Sequence, residues 1–324
     1  MNLLDELFDD KNRNKVEDYI IELSELLLEM NPSCKEEVLE AKEKYNLRIR
    51  NYFSDKMGLS LVYKTKEFEY SRQEYKDRSA IQITMSDYVP DDFLKILKKY
   101  DMSVIRLLLH TNQIGNTIGE IDYQMANFEQ NYKYVRKSST IDSLSNTMDY
   151  FLDLHSMVLE SGIWEDLKRV HPDLLGTYYP RESRLELHWL SISFLSRIHH
   201  FSIEDLVTIV LAHELAHGYS NLGYDKDGNQ WETNFFLKAD LRITEGFAQI
   251  YTYLLLKDHF PSALRAFEYL LGKQSIEYTD FRDWFEKEER DKYERTRRLL
   301  LVTRNKKIID YSQFKKELQR IRLE

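Results

Sequence analysis

The chain has 324 residues, with 46 Lys and Arg against 55 Asp and Glu, for a formal net charge of −9. That sign argues against nucleic acid as a main partner, and no apolar run approaches the ~18 residues that span a bilayer. Cys34 is the single cysteine, which excludes an intrachain disulfide and a thiolate metal cage. Glycine and proline are scarce, at 10 and 5, and no repeat or low-complexity linker interrupts the chain. This composition predicts a compact, mainly helical body without hinged domains. The first ten residues are acidic and do not read as a signal peptide, so the expected location is cytoplasmic, with no membrane contact.

In chain order, residues 15–55 read as two charged amphipathic helices, with Val16, Tyr19, Ile20, Leu23, Leu26 and Leu27 on one apolar face. Residues 59–63 and 80–85 are strand-like. Residues 91–160 return to helical spacing and carry no motif, which suits a scaffold or cleft wall. Residues 176–180 and 184–190 are rich in β-formers and are joined by a short turn at 181–183. Glu186 and His188 alternate on one face of the second strand, the pattern of a polar outward face. His199 and His200 read as surface residues. Ser202 with Glu204 and Asp205 forms a helix start.

The helix that follows is apolar on nearly every side from Leu206 to Ala212 and then reads His213-Glu214-Leu215-Ala216-His217. An all-apolar helix is buried. Two histidines four apart project from one side of it, and buried polar groups need partners. A metal ion held by both imidazoles is one such partner, and the glutamate beside the first histidine is then placed to move a proton. A catalytic zinc site needs a third protein ligand and an open position for water. Ser220 and Gly223 stand where a metzincin would have Gly and His, which excludes that arrangement. The downstream candidates are Glu232, Asp240, Glu245 and His259. Glu245 lies in Arg242-Ile243-Thr244-Glu245-Gly246-Phe247-Ala248, which runs into an apolar segment and reads as a second buried helix. Gly246 and Ala248 would let that helix come close to the first. Glu232 falls in a polar loop.

The motif His213-Glu214-Leu215-Ala216-His217 with Thr244-Glu245-Gly246-Phe247-Ala248 resembles the gluzincin metallopeptidases, whose aminopeptidase-N-type members carry a similar Asn-Glu-Gly-Phe-Ala run. The likeness covers about residues 180–260. It implies one zinc ion per chain held by His213, His217 and Glu245, with Glu214 as general base acting on a peptide or protein substrate. It also implies that the strand at 184–190 forms the cleft edge and holds an extended peptide. The implied fold is α+β and predominantly helical: a zincin-like core in which a small antiparallel or mixed sheet packs on the motif helix beside a second, Glu-bearing helix. The 27 residues between His217 and Glu245 exceed the family's usual spacing and read as an inserted loop at 221–234. The exopeptidase motif Gly-Ala-Met-Glu-Asn does not occur, so aminopeptidase activity is not implied. Gln249 stands where thermolysin-like enzymes have an Asp, and its amide can still bond a ligand histidine.

Asp225, Asp227 and Asn229 in the loop hint at calcium, but Gly228 at position four and Phe236 at position twelve break that pattern, and a tight turn fits better. Gluzincins stabilise the oxyanion with a Tyr or His. Tyr278 and Tyr224 are the candidates here, whereas Tyr251 and Tyr253 read as helix packing. From Arg290 onward 12 Lys and Arg face 5 Asp and Glu, a net +7, and Leu299, Leu300, Leu318 and Ile321 look like packing positions. The expected organisation is a helical scaffold at 1–140, the catalytic core at 141–289 and a basic helical segment at 290–324. The alternatives to a zinc hydrolase are a zincin that keeps its metal as a binding or regulatory module and a structural protein with a chance motif.

Overall fold

The computed structural model describes residues 10–61, 81–131, 139–167, 174–284 and 292–323. The described chain is mostly helical, with one small mixed sheet. The described parts of Met1–Tyr88, His171–Ser196 and Phe201–Glu324 form one compact unit, and those of Val89–Val170 and Arg197–His200 form another.

The first unit opens with α1 (Asp10–Met30) and α2 (Cys34–Met57). Of the apolar stripe read from the sequence, Leu23, Leu26 and Leu27 are at most 3% exposed, and Val16, Tyr19 and Ile20 are half-buried. Strand β1 (Gln82–Ser86) pairs parallel with β3 (Arg184–His188), and β2 (Gly176–Tyr179) pairs antiparallel with β3, from Gly176 opposite Leu187 to Tyr179 opposite Arg184. The order β1-β3-β2 puts β3 in the centre. Of the strand expected at 59–63, Ser60 forms an isolated bridge to Tyr224, and Val62 and Tyr63 lie outside the described residues, as does Ala80 of the next strand.

The second unit holds α3 (Asp91–Leu97), the long pair α4 (Met102–Asn131) and α5 (Ser139–Glu160), and the short α6 (Ile163–Leu167). Helices α4 and α5 pack on each other. Ile105, Leu108, Leu109, Ile114 and Ile121 supply the buried side of α4, with Ile105 three and four residues before Leu108 and Leu109.

Two readings of the strand at 184–190 are corrected. It ends at His188, and Trp189 begins helix α7 (Trp189–His199). The reason is periodicity: Leu190, Phe194 and Ile198 recur every four residues and are all buried, a helical spacing. His188 does not face outward but is 0% exposed. Its Nδ1 lies 3.1 Å from the Leu174 carbonyl and its ring meets the edge of Tyr88.

The motif lies on α8 (Ile203–Leu222), followed by α9 (Thr233–Phe236), α10 (Leu241–His259), α11 (Pro261–Leu271), α12 (Ile276–Thr279) and a 3₁₀ turn at Asp280–Asp283. Helices α2, α10 and α11 and strands β2 and β3 all pack against α8, so the sheet lies on the motif helix and the glutamate helix runs beside it. The chain closes with α13 (Lys292–Asn305) and α14 (Tyr311–Leu323), where Leu299, Leu300, Leu318 and Ile321 are buried as their spacing predicts. Among the described residues no helix is long and apolar enough to cross a membrane.

Candidate metal centre

Helix α8 starts where the sequence places its cap: the Ser202 hydroxyl accepts from the Asp205 N–H at 3.0 Å. From Leu206 to Asn221 every residue is buried. The core therefore fixes the rotation of α8 before any polar side chain is considered, and both histidines turn to the same side. Helix α10 starts at Asp240, whose carboxylate accepts from the Arg242 N–H and from its guanidinium. That start sets Glu245 one turn into the helix, opposite the histidine pair.

Three donor side chains meet there. His213 Nε2 lies 3.1 Å from Glu245 Oε2, His217 Nε2 lies 3.3 Å from Glu245 Oε1, and the two Nε2 atoms are 3.2 Å apart. The imidazole rings stand edge to face at 86°. Three corners of a tetrahedron built on bonds of about 2.0–2.1 Å lie about 3.3–3.4 Å apart. The donor set therefore fits a zinc ion in both chemistry and spacing, with two imidazoles and one carboxylate as at catalytic zinc sites. Among the described residues these three form the buried group that could hold a metal ion. Burial alone pushes the Glu245 carboxyl up, but the two imidazoles beside it more than offset this and hold it well below the usual carboxylate range.

The group opens on one side into a cleft of about 300 Å³. Its wall includes Glu214, the edge strand from Gly176 to Tyr178, and an apolar shelf of Phe236, Leu237 and Leu241. The strand expected at the cleft edge, 184–190, is instead the central strand β3, and of the two edge strands among the described residues β2 is the one that lines the cleft. Gly176 lets β2 lie close over the helix: a Cβ there would stand 2.5 Å from Val210 Cγ1 and 3.5 Å from Glu214 Cγ.

The other candidate residues sort clearly. Glu232 is exposed, starts α9 and pairs with Lys307, Asp240 caps α10, and His259 packs its ring on Tyr52. Tyr224 pairs through its backbone with Ser60, and Tyr278 is buried on α12; neither lines the cleft. Gln249 does not bond a ligand histidine, because its amide donates instead to Gln274 at 3.2 Å. The 225–229 segment is the expected tight turn: Asp225 Oδ1 accepts from the N–H groups of Asp227 and Asn229, and Gly228 takes φ 81°. Gly246 does not face α8. A Cβ on it would stand 2.2 Å from Trp284 Cζ2, so the indole is what requires its small size.

Tyr178 was not among the residues singled out in the sequence. It lines the cleft while its hydroxyl donates at 3.0 Å to Asn221, one turn beyond His217, and the Asn221 amide donates to the Trp231 carbonyl. Burial pushes the Tyr178 hydroxyl well above the ordinary tyrosine range. Its signal in the sequence was strand alternation: Gly176 and Tyr178 are two apart and so share a face.

No family model, curated protein or solved structure matches this chain.

Proposed function

We propose that this chain is a zinc-dependent metallohydrolase that cleaves peptide bonds. The observation that carries the reading is the buried His213, His217 and Glu245 group opening into a cleft whose wall also holds Glu214. His213, His217 and Glu245 would hold the ion, and when bound it supplies Lewis acidity toward a carbonyl and toward water. Glu214 supplies the base: its carboxylate takes a proton from water in the cleft and returns it to the leaving nitrogen. The β2 edge supports a peptide as substrate, since an edge strand offers backbone N–H and C=O groups to an extended chain. The apolar shelf of Phe236, Leu237 and Leu241 offers nonpolar surface beside that chain.

The test pairs two measurements. Metal analysis of the purified protein should find about one zinc per chain, and His217→Ala should lower it. Chelator-sensitive cleavage of a mixed peptide library should appear in the wild type and be lost in Glu214→Gln, with zinc retained. Full activity in Glu214→Gln would refute the proton-transfer role. Zinc without turnover would make the chain a metal-bearing binding module, and protein that cannot be loaded with zinc would remove the metal site.

A further inference from the structure

Away from the triad, a second cleft of about 290 Å³ opens beside α10. Its floor is apolar. Ile250 and Leu254 lie one turn apart on one side of α10, and Leu271 of α11 and Phe281 of the 3₁₀ turn complete it; all four are at most 5% exposed. The rest of the wall is charged, with Glu268 from α11, Arg282 from the 3₁₀ turn and Lys292 from the start of α13. Glu268 stands three residues before Leu271 and Arg282 directly follows Phe281, so each of these two charges is anchored beside a floor residue. Glu268 and Arg282 are exposed, and Lys292 is half-buried. Among the described residues Glu268 forms an ion pair with neither cation. Carboxylate and cations therefore line one space without closing on each other.

That combination selects a ligand. The volume is at the small end of ligand pockets, which run from about 300 to 1,000 Å³, so the occupant is a small molecule and not a polypeptide. An apolar acid would meet Arg282 and Lys292 but set its own carboxylate against Glu268. An apolar amine would meet Glu268 but set its ammonium against the two cations. A zwitterion with both charges on one carbon meets all three. We propose that this cleft binds a free α-amino acid with a large apolar side chain, of leucine or phenylalanine size. Its ammonium goes to Glu268, its carboxylate to Arg282 and Lys292, and its side chain to the floor. The inference does not depend on the hydrolase reading.

The test titrates the full chain with L-leucine and L-phenylalanine by isothermal calorimetry, with and without EDTA. The expected result is a saturable site whose Kd EDTA does not change, which separates this cleft from the metal centre. Isocaproate lacks the ammonium of leucine and isoamylamine lacks its carboxylate, and each should bind about tenfold more weakly than leucine. Glu268→Gln and Arg282→Gln, both at exposed positions where the fold should be kept, should each raise the Kd for leucine about tenfold. In Glu268→Gln the gap between leucine and isocaproate should close, because the group that tells them apart is gone. Absence of saturable binding, binding that EDTA abolishes, wild-type affinity for either analogue equal to that for leucine, or a Kd unmoved by either substitution overturns the site.

Discussion

Gly176 shows how a single backbone position can set up a site. With no side chain, it lets β2 sit over Glu214, and an added methyl would meet Val210 Cγ1 at 2.5 Å and the Glu186 carbonyl at 3.0 Å. Gly176→Ala should therefore destabilise the protein by about 1–3 kcal/mol, measured by urea titration. It should also lower turnover while zinc content stays unchanged, and wild-type stability in this variant would mean the strand does not lie on the helix. His188 makes a prediction about pH. Burial lowers its pKa from the ordinary 6.5, against smaller opposing effects of the Leu174 carbonyl and Glu186. Its Nε2 is buried without a partner, so a proton added there would have no acceptor. The unfolded chain takes up that proton first as pH falls, so the stability His188 confers is full above 6.5. It is lost on going down toward the lower folded value, by at most about 1.4 kcal/mol per pH unit. Urea midpoints at pH 7.5 and 5.5 should converge more closely in His188→Gln than in wild type. Equal pH slopes would remove His188 as the cause. The sequence did not single out Gly176 and read His188 as facing outward: a glycine's reason is the atom it would strike, and a histidine on a strand shows alternation but not what covers it.

At the scale of elements, the two site helices were legible because their signals are local. The α8 cap, its all-apolar run and the four-residue histidine spacing lie within twenty residues, and the apolar run after Glu245 marks α10 in the same way. What the sequence withheld was which elements meet. The β1-β3-β2 order puts 184–188 in the centre and leaves β2 as the edge strand that lines the cleft, because pairing with β1 depends on contacts a hundred residues apart. The same holds for Gly246, which sequence logic aimed at α8 and the fold aims at Trp284. That contact gives an element-scale prediction. Gly246→Ala should cost about 1–3 kcal/mol by pushing the indole off α10. Trp284→Phe in the same chain should restore part of the loss, because phenylalanine lacks the ring atoms that the new methyl meets. The double-mutant cycle measures this directly. Independent, additive losses would mean that α10 and the Trp284 ring are not in contact.

For the whole molecule, the predominantly helical class followed from composition and periodicity, and the small sheet on the motif helix from the resemblance carried by the motif. The division of the described chain into two compact units did not, because composition carries no linker to mark it. The division matters for which part of the fold a metal at the triad would stabilise. All three donors lie in the first unit, on two helices that pack on each other, so on the proposed reading zinc at a hundredfold excess over its Kd would add about 2.7 kcal/mol to whatever unfolds with the site. If the units unfold separately, that stabilisation stays within the first. Hydrogen exchange with and without zinc should therefore show slower exchange across α8 and α10, and α4 and α5 should exchange at the same rate in both conditions. His217→Ala should abolish the difference in α8 and α10, since two ligands cannot close the site. Equal protection of α4 and α5 by zinc would mean that the two units unfold as one cooperative body.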